Sequence, residues 1–146
     1  MMATIRPGTS KTLLQAVRNR VRRYLRKMVG RDGFQEVDDR FVLQRGSATI
    51  QIVVRPWHRD DAVVEAIAYL TDTVPVTPEL MEFLLRKNAT LHFGAFGLAF
   101  DRTIVFAHSI AGRNLDYNEL RATVETVGAI ADYYDDHFRQ GTWREA

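Results

Sequence analysis

Between Phe96 and Ile110 most of the large hydrophobic residues fall on every second position. Phe96, Leu98 and Phe100 alternate with Gly97 and Ala99, and Ile104, Phe106, His108 and Ile110 alternate with Val105, Ala107 and Ser109. This is the period of β-strands, and the two runs predict a hairpin. If Asp101, Arg102 and Thr103 form its loop, Phe100 faces Ile104 and the large even-numbered side chains share one buried face. Leu91 and Phe93 have the opposite parity, which predicts a bulge near Gly94, where glycine tolerates the backbone required. The glycines of this stretch therefore serve backbone geometry rather than ligand approach.

Shorter strand patterns precede it at Phe34–Val37, Phe41–Gln44 and Ala48–Arg55, the last with Ile50, Ile52 and Val54 alternating with Thr49, Gln51 and Val53. Asp38-Asp39-Arg40 and Arg45-Gly46-Ser47 read as the turns between them. Pro56–Asp61 reads as a loop in which Trp57 and His58 stand beside two carboxylates, an arrangement more often a ring folded over a sheet edge than a reactive site. The pattern of Ala62–Val74 fits both periods, since Val63, Ile67, Leu70 and Val74 make a helical stripe while alternate residues also make a strand.

Three helices are predicted. Lys11–Val29 has Thr9 or Ser10 as its cap, Gly30 as its stop, and Leu14, Val17, Val21, Leu25 and Met28 as its buried stripe. Thr77-Pro78-Glu79 starts a second helix that runs to Lys87, with Asn88 suited to end it in the left-handed conformation. Asp116 and Glu119 form a capping box for the third. Its core stripe is Leu120, Val124, Val127, Ala131, Tyr134 and Phe138, and Glu125, Asp132, Asp135 and Asp136 make its other side acidic.

Charge changes this picture at the N-terminus. Nine of the 20 Lys and Arg residues lie in residues 1–31, which contain no Asp or Glu, so a net charge of +2 combines a strongly basic start with an acidic remainder. Arg18, Arg22 and Arg26 are therefore candidate anion-binding residues. The basic helix reads first as a solvated face, next as a surface for an anionic partner or nucleic acid, with Tyr24 its only ring, and least as a membrane-surface helix. Acidic residues near the end of the third helix oppose its dipole, which predicts that Arg18, Arg22 or Arg26 faces Glu125, Asp132 or Asp136.

The 146 residues, 46% of them hydrophobic, suit one domain over 1–146, with 1–9 and 140–146 expected to be flexible. With no cysteine, disulfides and thiolate chemistry are excluded. The first residues hold no apolar leader, and a cytoplasmic location is expected. His58, His92, His108 and His137 are assigned to separate elements, so neither a catalytic site, a metal site nor a cofactor is expected.

The run PVTPELMEFLLRKNATLHFGAFGLAFDRTIVFAHSI, followed by LDYNELRATVETVGAIADYYDD, resembles the YbjN family, itself similar in fold to the class I type III secretion chaperones; the resemblance extends over Val74–Phe138. It implies an α+β fold in which an antiparallel sheet of about five strands carries the first and last helices on one face, with a middle helix. It also makes Ala62–Val74 a strand, and it implies a homodimer. One departure is the basic first helix, because secretion chaperones tend to be acidic. The function so implied is a non-enzymatic protein- or peptide-binding module of chaperone or adaptor type. Trp57, Leu91, Phe93, Phe96 and Phe106 are its candidate partner-binding residues. The alternative is a regulatory protein that binds an anionic partner or nucleic acid through the first helix.

Overall fold

The computed structural model describes residues 8–146. Six strands form one antiparallel sheet: β1 (Gln35–Val37), β2 (Arg40–Arg45), β3 (Ala48–His58), β4 (Asp61–Tyr69), β5 (Ala95–Leu98) and β6 (Ile104–Ala111), in the order β1-β2-β3-β4-β6-β5. Helix α1 (Lys11–Val29) precedes them, α2 (Pro78–Asn88) separates β4 from β5, and α3 (Tyr117–Gln140) follows β6. The fold is thus the α+β architecture expected, with six strands in place of about five.

The ambiguous segment Ala62–Val74 is strand only as far as Tyr69, within β4, and the surroundings of β4 explain why strand prevails there over helical propensity. Both of its edges are paired, to β3 and to β6. A helix there would leave the backbone groups of two neighbouring strands without partners. Ala62, Val64, Ala66 and Ala68 are buried. Across the sheet, Ile50, Ala68, Phe106 and Phe96 lie in one row, and Ile52, Ala66 and His108 in the next. Alanine at the middle of each row leaves room for the helices between larger neighbours.

Helices α1 and α3 cover the same face, and α2 packs by edge strand β5. The buried stripes Val17, Val21 and Leu25 of α1 and Leu120, Val124, Val127, Ala131, Tyr134 and Phe138 of α3 meet the even-numbered side chains of β3 and β4 in one core. Leu14 and Met28, also expected on the α1 stripe, are partly buried against it. The capping box forms as expected, with the Glu119 amide donating to Asp116 and the Asp116 amide donating to Glu119. Ser10 caps α1.

Several expectations are corrected. The β1–β2 turn consists of Asp38 and Asp39 alone, both at positive φ, as a tight primed turn requires. Pro56, Trp57 and His58 belong to β3 rather than to a loop. In the last hairpin Leu98, not Phe100, pairs with Ile104. The Ala99 amide donates to the Thr103 carbonyl and the Arg102 amide to the Ala99 carbonyl, so the loop is Phe100-Asp101-Arg102, one residue earlier than the spacing suggested. Arg102 supplies the left-handed residue that such a three-residue loop needs. Parity survives the shift, and Phe96, Ile104 and Phe106 are buried, but Leu98 and Phe100 are exposed.

No bulge forms at Gly94. The β5–β6 pairing begins at Ala95 without a register shift, and Gly94 brings the chain into the strand at φ 79°. A Cβ there would lie 2.7 Å from the Phe106 ring and 2.9 Å from the Ala107 carbonyl oxygen. Glycine is therefore required both by conformation and by space.

At the chain ends, Trp143 is buried with its ring 5.1 Å from that of Phe83. Thr9 is buried too, its hydroxyl donating to the carbonyls of His58 and Asp61 and accepting from the Trp57 amide. The expectation of flexibility in 1–7 lies outside the described residues.

Candidate functional site

Helix α2 carries more apolar side chains than one buried stripe needs. Leu80 and Leu84 are buried and Phe83 packs on Tyr134 and Trp143, yet Met81 and Leu85 are exposed, Leu85 to 70% of its surface. Met81, Leu84, Leu85 and Asn88 follow the i, i+3, i+4, i+7 spacing, so they form one ridge along the helix. This ridge faces β5, and the two elements enclose a groove of about 190 Å³ lined also by Val76, Phe96, Gly97, Leu98 and Ile104. Its lining is overwhelmingly apolar, and Asn88 is the one polar side chain on it.

Asn88 has a definite task. The Phe96 amide donates to its Oδ1 at 2.7 Å, and its Nδ2 donates to the Phe96 carbonyl at 3.1 Å. The side chain thus occupies the two backbone groups that edge strand β5 turns outward at Phe96, as a neighbouring strand would. This is also why Asn88 remains in the helix and does not adopt the expected left-handed conformation. The helix ends at Ala89, which has right-handed helical angles. Replacing Asn88 with alanine leaves both Phe96 groups without that partner, and a loss of about 1–2 kcal/mol is expected in urea unfolding. An unchanged midpoint would contradict this role.

The candidate partner-binding residues do not converge. Phe96 and Phe106 lie in the core with ring centroids 5.0 Å apart, and Phe96 is equally close to Tyr134. Their hydrophobicity builds the wall behind the groove; Phe106 itself presents no surface. Leu91 is half-buried against the core. Phe93 is exposed, with its ring edge-on to His108 at 5.6 Å. Trp57 stacks obliquely on His58 at 4.5 Å, at the end of β3 that adjoins the β3–β4 turn. That turn lies beside Ala111, whereas the groove lies beside Ile104 at the opposite end of β6, roughly 20 Å away at the rise of a strand.

His108 is half-buried, and burial lowers its pKa from the ordinary value of 6.5. The unfolded chain therefore binds a proton at a higher pH than the folded chain does. This contribution to stability is complete above about pH 6.5 and is lost as the pH falls towards the lowered folded value. A denaturation series from pH 7.5 to 5.5 should show this loss, and His108→Gln should reduce its slope. An identical slope in the variant would contradict the assignment.

The arginines of α1 are distributed differently from the charge-pairing expectation. Arg22 forms an ion pair with Glu36 of β1, and the hydrogen bond between them raises the arginine pKa and lowers that of the carboxylate. Its guanidinium also lies 5.7 Å above the Phe41 ring. Arg18 is half-buried and Arg26 is exposed. On α3, Glu125 pairs with Arg45, and Asp132 accepts from the Ser47 amide and hydroxyl, which lowers its pKa. Asp135, expected on the acidic solvent side, is buried and accepts from the Thr71 amide and Arg139. Glu125, Asp132 and Asp135 are thus answered from β2, from loops and from α3 itself. Arg20 and Lys27 are also engaged, the first with the carbonyls of Gly112 and Arg113 and the second over the Tyr117 ring.

Among the described residues no three His, Cys, Asp or Glu side chains are grouped so as to hold a metal ion, and no helix is long and apolar enough to cross a membrane.

Comparison with known proteins agrees with this architecture. Residues 15–142 match the family described as T3SS (YopN, CesT) and YbjN peptide-binding chaperone 1. The chain belongs to this family. Membership extends over nearly all of the described chain, including α1 and the first strands, well beyond the Val74–Phe138 stretch in which the sequence resemblance is visible. The fold is also similar to the crystal structure of YbjN, a putative transcription regulator from E. coli, with a TM-score of 0.54 and 14% identity over 82% of this chain and 91% of that one. No curated protein matches the chain.

Proposed function

We propose that this protein binds an extended, apolar segment of another polypeptide in the groove between α2 and β5 and performs no chemistry on it. The observation that carries this reading is the ridge of Met81 and Leu85, exposed on a helix and facing an edge strand across an open apolar channel. Such a channel accepts alternate side chains of a strand-like peptide. The family description, which names peptide-binding chaperones, supports the same class of ligand. The scattering of the four histidines over β3, the segment before β5, β6 and α3 supports a role without acid-base catalysis.

The groove's volume holds one or two large side chains, so affinity comes from a few anchors and not from a long interface. Because Asn88 already occupies the outward groups of Phe96, a peptide at this point is held by its side chains more than by added sheet pairing. Fluorescence anisotropy with a panel of labelled peptides tests the reading. Peptides carrying two spaced Leu, Ile or Phe residues should bind saturably, and polar permutations of the same length should not. Failure of every apolar peptide to bind would overturn it. The regulatory alternative is less well supported, because Arg20, Arg22 and Lys27 already have partners within the chain.

A further inference from the structure

Helix α2 is fastened on two flanks. On the groove side Asn88 bonds Phe96 of β5. On the other side stands the short 3-10 turn Trp143–Glu145, which follows α3. Phe83 comes two residues after Met81, roughly 200° around the helix, so its ring points away from the groove. There it meets the buried Trp143 edge-on at 5.1 Å and Tyr134 at 6.4 Å. One turn earlier on the same flank Glu79 pairs with Arg144, whose guanidinium lies over the Trp143 ring, 4.3 Å from its centroid. That ion pair is exposed and adds little, so the ring contact is the one that holds. Residues 70–77 and 89–94, which join α2 to the sheet, are neither helix nor strand. The distance from α2 to β5 is therefore set by side-chain contacts and not by the connections.

We propose that Trp143 is the positioning residue of the groove: it holds α2 at a fixed separation from β5 and so sets the size of side chain that the groove accepts. Trp143 is not part of the groove lining and acts through Phe83. Because it braces the flank opposite the groove, loosening it lets α2 draw back from β5, and the channel between them widens. The rings of Trp143, Phe83, Tyr134 and Phe96 also form a continuous chain from the turn to the groove wall, along which such a shift is passed on. The inference deepens the proposed function and rests on it for the ligand, but the hold on α2 is measurable without any peptide.

Two matched peptides, one with a pair of leucine anchors and one with a pair of tryptophans, test this by fluorescence anisotropy. Two leucine side chains suit a groove of about 190 Å³, and two indole rings exceed it. The natural chain should favour the leucine peptide about tenfold, the scale on which pockets read a misfit of a few carbons. Trp143→Leu and Phe83→Leu should each reduce that ratio to about threefold or less, and the double variant no further, because both remove the same contact. Trp143→Phe should restore it. Val21→Ala, which weakens the core beneath α1, should leave the ratio unchanged and so separates lost stability from lost position. Hydrogen exchange without peptide should quicken in α2 of Trp143→Leu while the middle of α3 stays protected. An unchanged ratio in both leucine variants, an equal shift in Val21→Ala, or exchange that rises evenly along the chain would overturn the inference. Binding of neither peptide by the natural chain would instead remove the groove reading, and exchange alone would then decide whether Trp143 positions α2.

Discussion

Replacing Phe106 with alanine is expected to lower the unfolding free energy by about 3–5 kcal/mol, the usual range for removing a buried aromatic ring. Phe106 is fully buried, it pairs with Phe96, and the approach of Gly94 is fitted to its ring. The surrounding groups cannot collapse into the space. Ala68 on one side has no side chain long enough to follow, and Phe96 is held by Tyr134 and by the backbone bonds to Asn88. The groove should be disturbed as well, because Phe96 and Ile104 line it. Urea unfolding of the variant checks the figure, and a loss below about 1 kcal/mol would mean that the core is far more compliant than its packing indicates.

The second large effect is opposite in kind. Leu85→Asp should leave folding within about 0.5 kcal/mol of the natural chain, because the side chain is mostly in solvent. It should nevertheless weaken apolar peptide binding at least tenfold, since a carboxylate on the groove wall must be desolvated when an apolar anchor enters. Anisotropy titrations and thermal unfolding on the same preparation separate the two quantities. Unchanged affinity would remove Leu85 from the binding surface. Loss of folding would instead show that Leu85 contributes to the core.

Much of the fold is legible along the chain because its long elements repeat a single period. The stripes of α1 and α3 and the alternation in β3 and β6 each point one face at the core, and the structure keeps them there. The loop of the last hairpin is less legible. A shift of one residue in the loop moves Phe100 from a paired strand position to the tip, and alternation alone does not distinguish the two while parity is conserved. β4 is legible only with its neighbours in place, since its alanines favour helix until two strands need partners. Asp135 and Trp143 depend on contacts distant in sequence, with Thr71 and Phe83, which no local pattern encodes.

The groove is visible along the chain only as an excess. Leu80, Met81, Phe83, Leu84 and Leu85 are too many apolar residues for one face of an eleven-residue helix, and the surplus pair marks the second face. What they face, Gly97 and Leu98, follows from the docking of α2 on the edge of the sheet. Asn88 gives a similar lesson. Its residue type suits a helix end, but its side chain is used as a substitute strand. Phe96 and Phe106 suit a binding surface by their hydrophobicity alone, but the core claims both.

The central claim is that the α2–β5 groove receives an apolar segment of a partner chain. Amide chemical-shift mapping of the isotope-labelled protein during titration with a binding peptide tests it most directly. The largest changes are expected on Met81, Leu84, Leu85, Asn88, Gly97 and Leu98, with Trp57 and the arginines of α1 little affected. Changes centred on Trp57 or on α1, with the groove undisturbed at saturation, would contradict it.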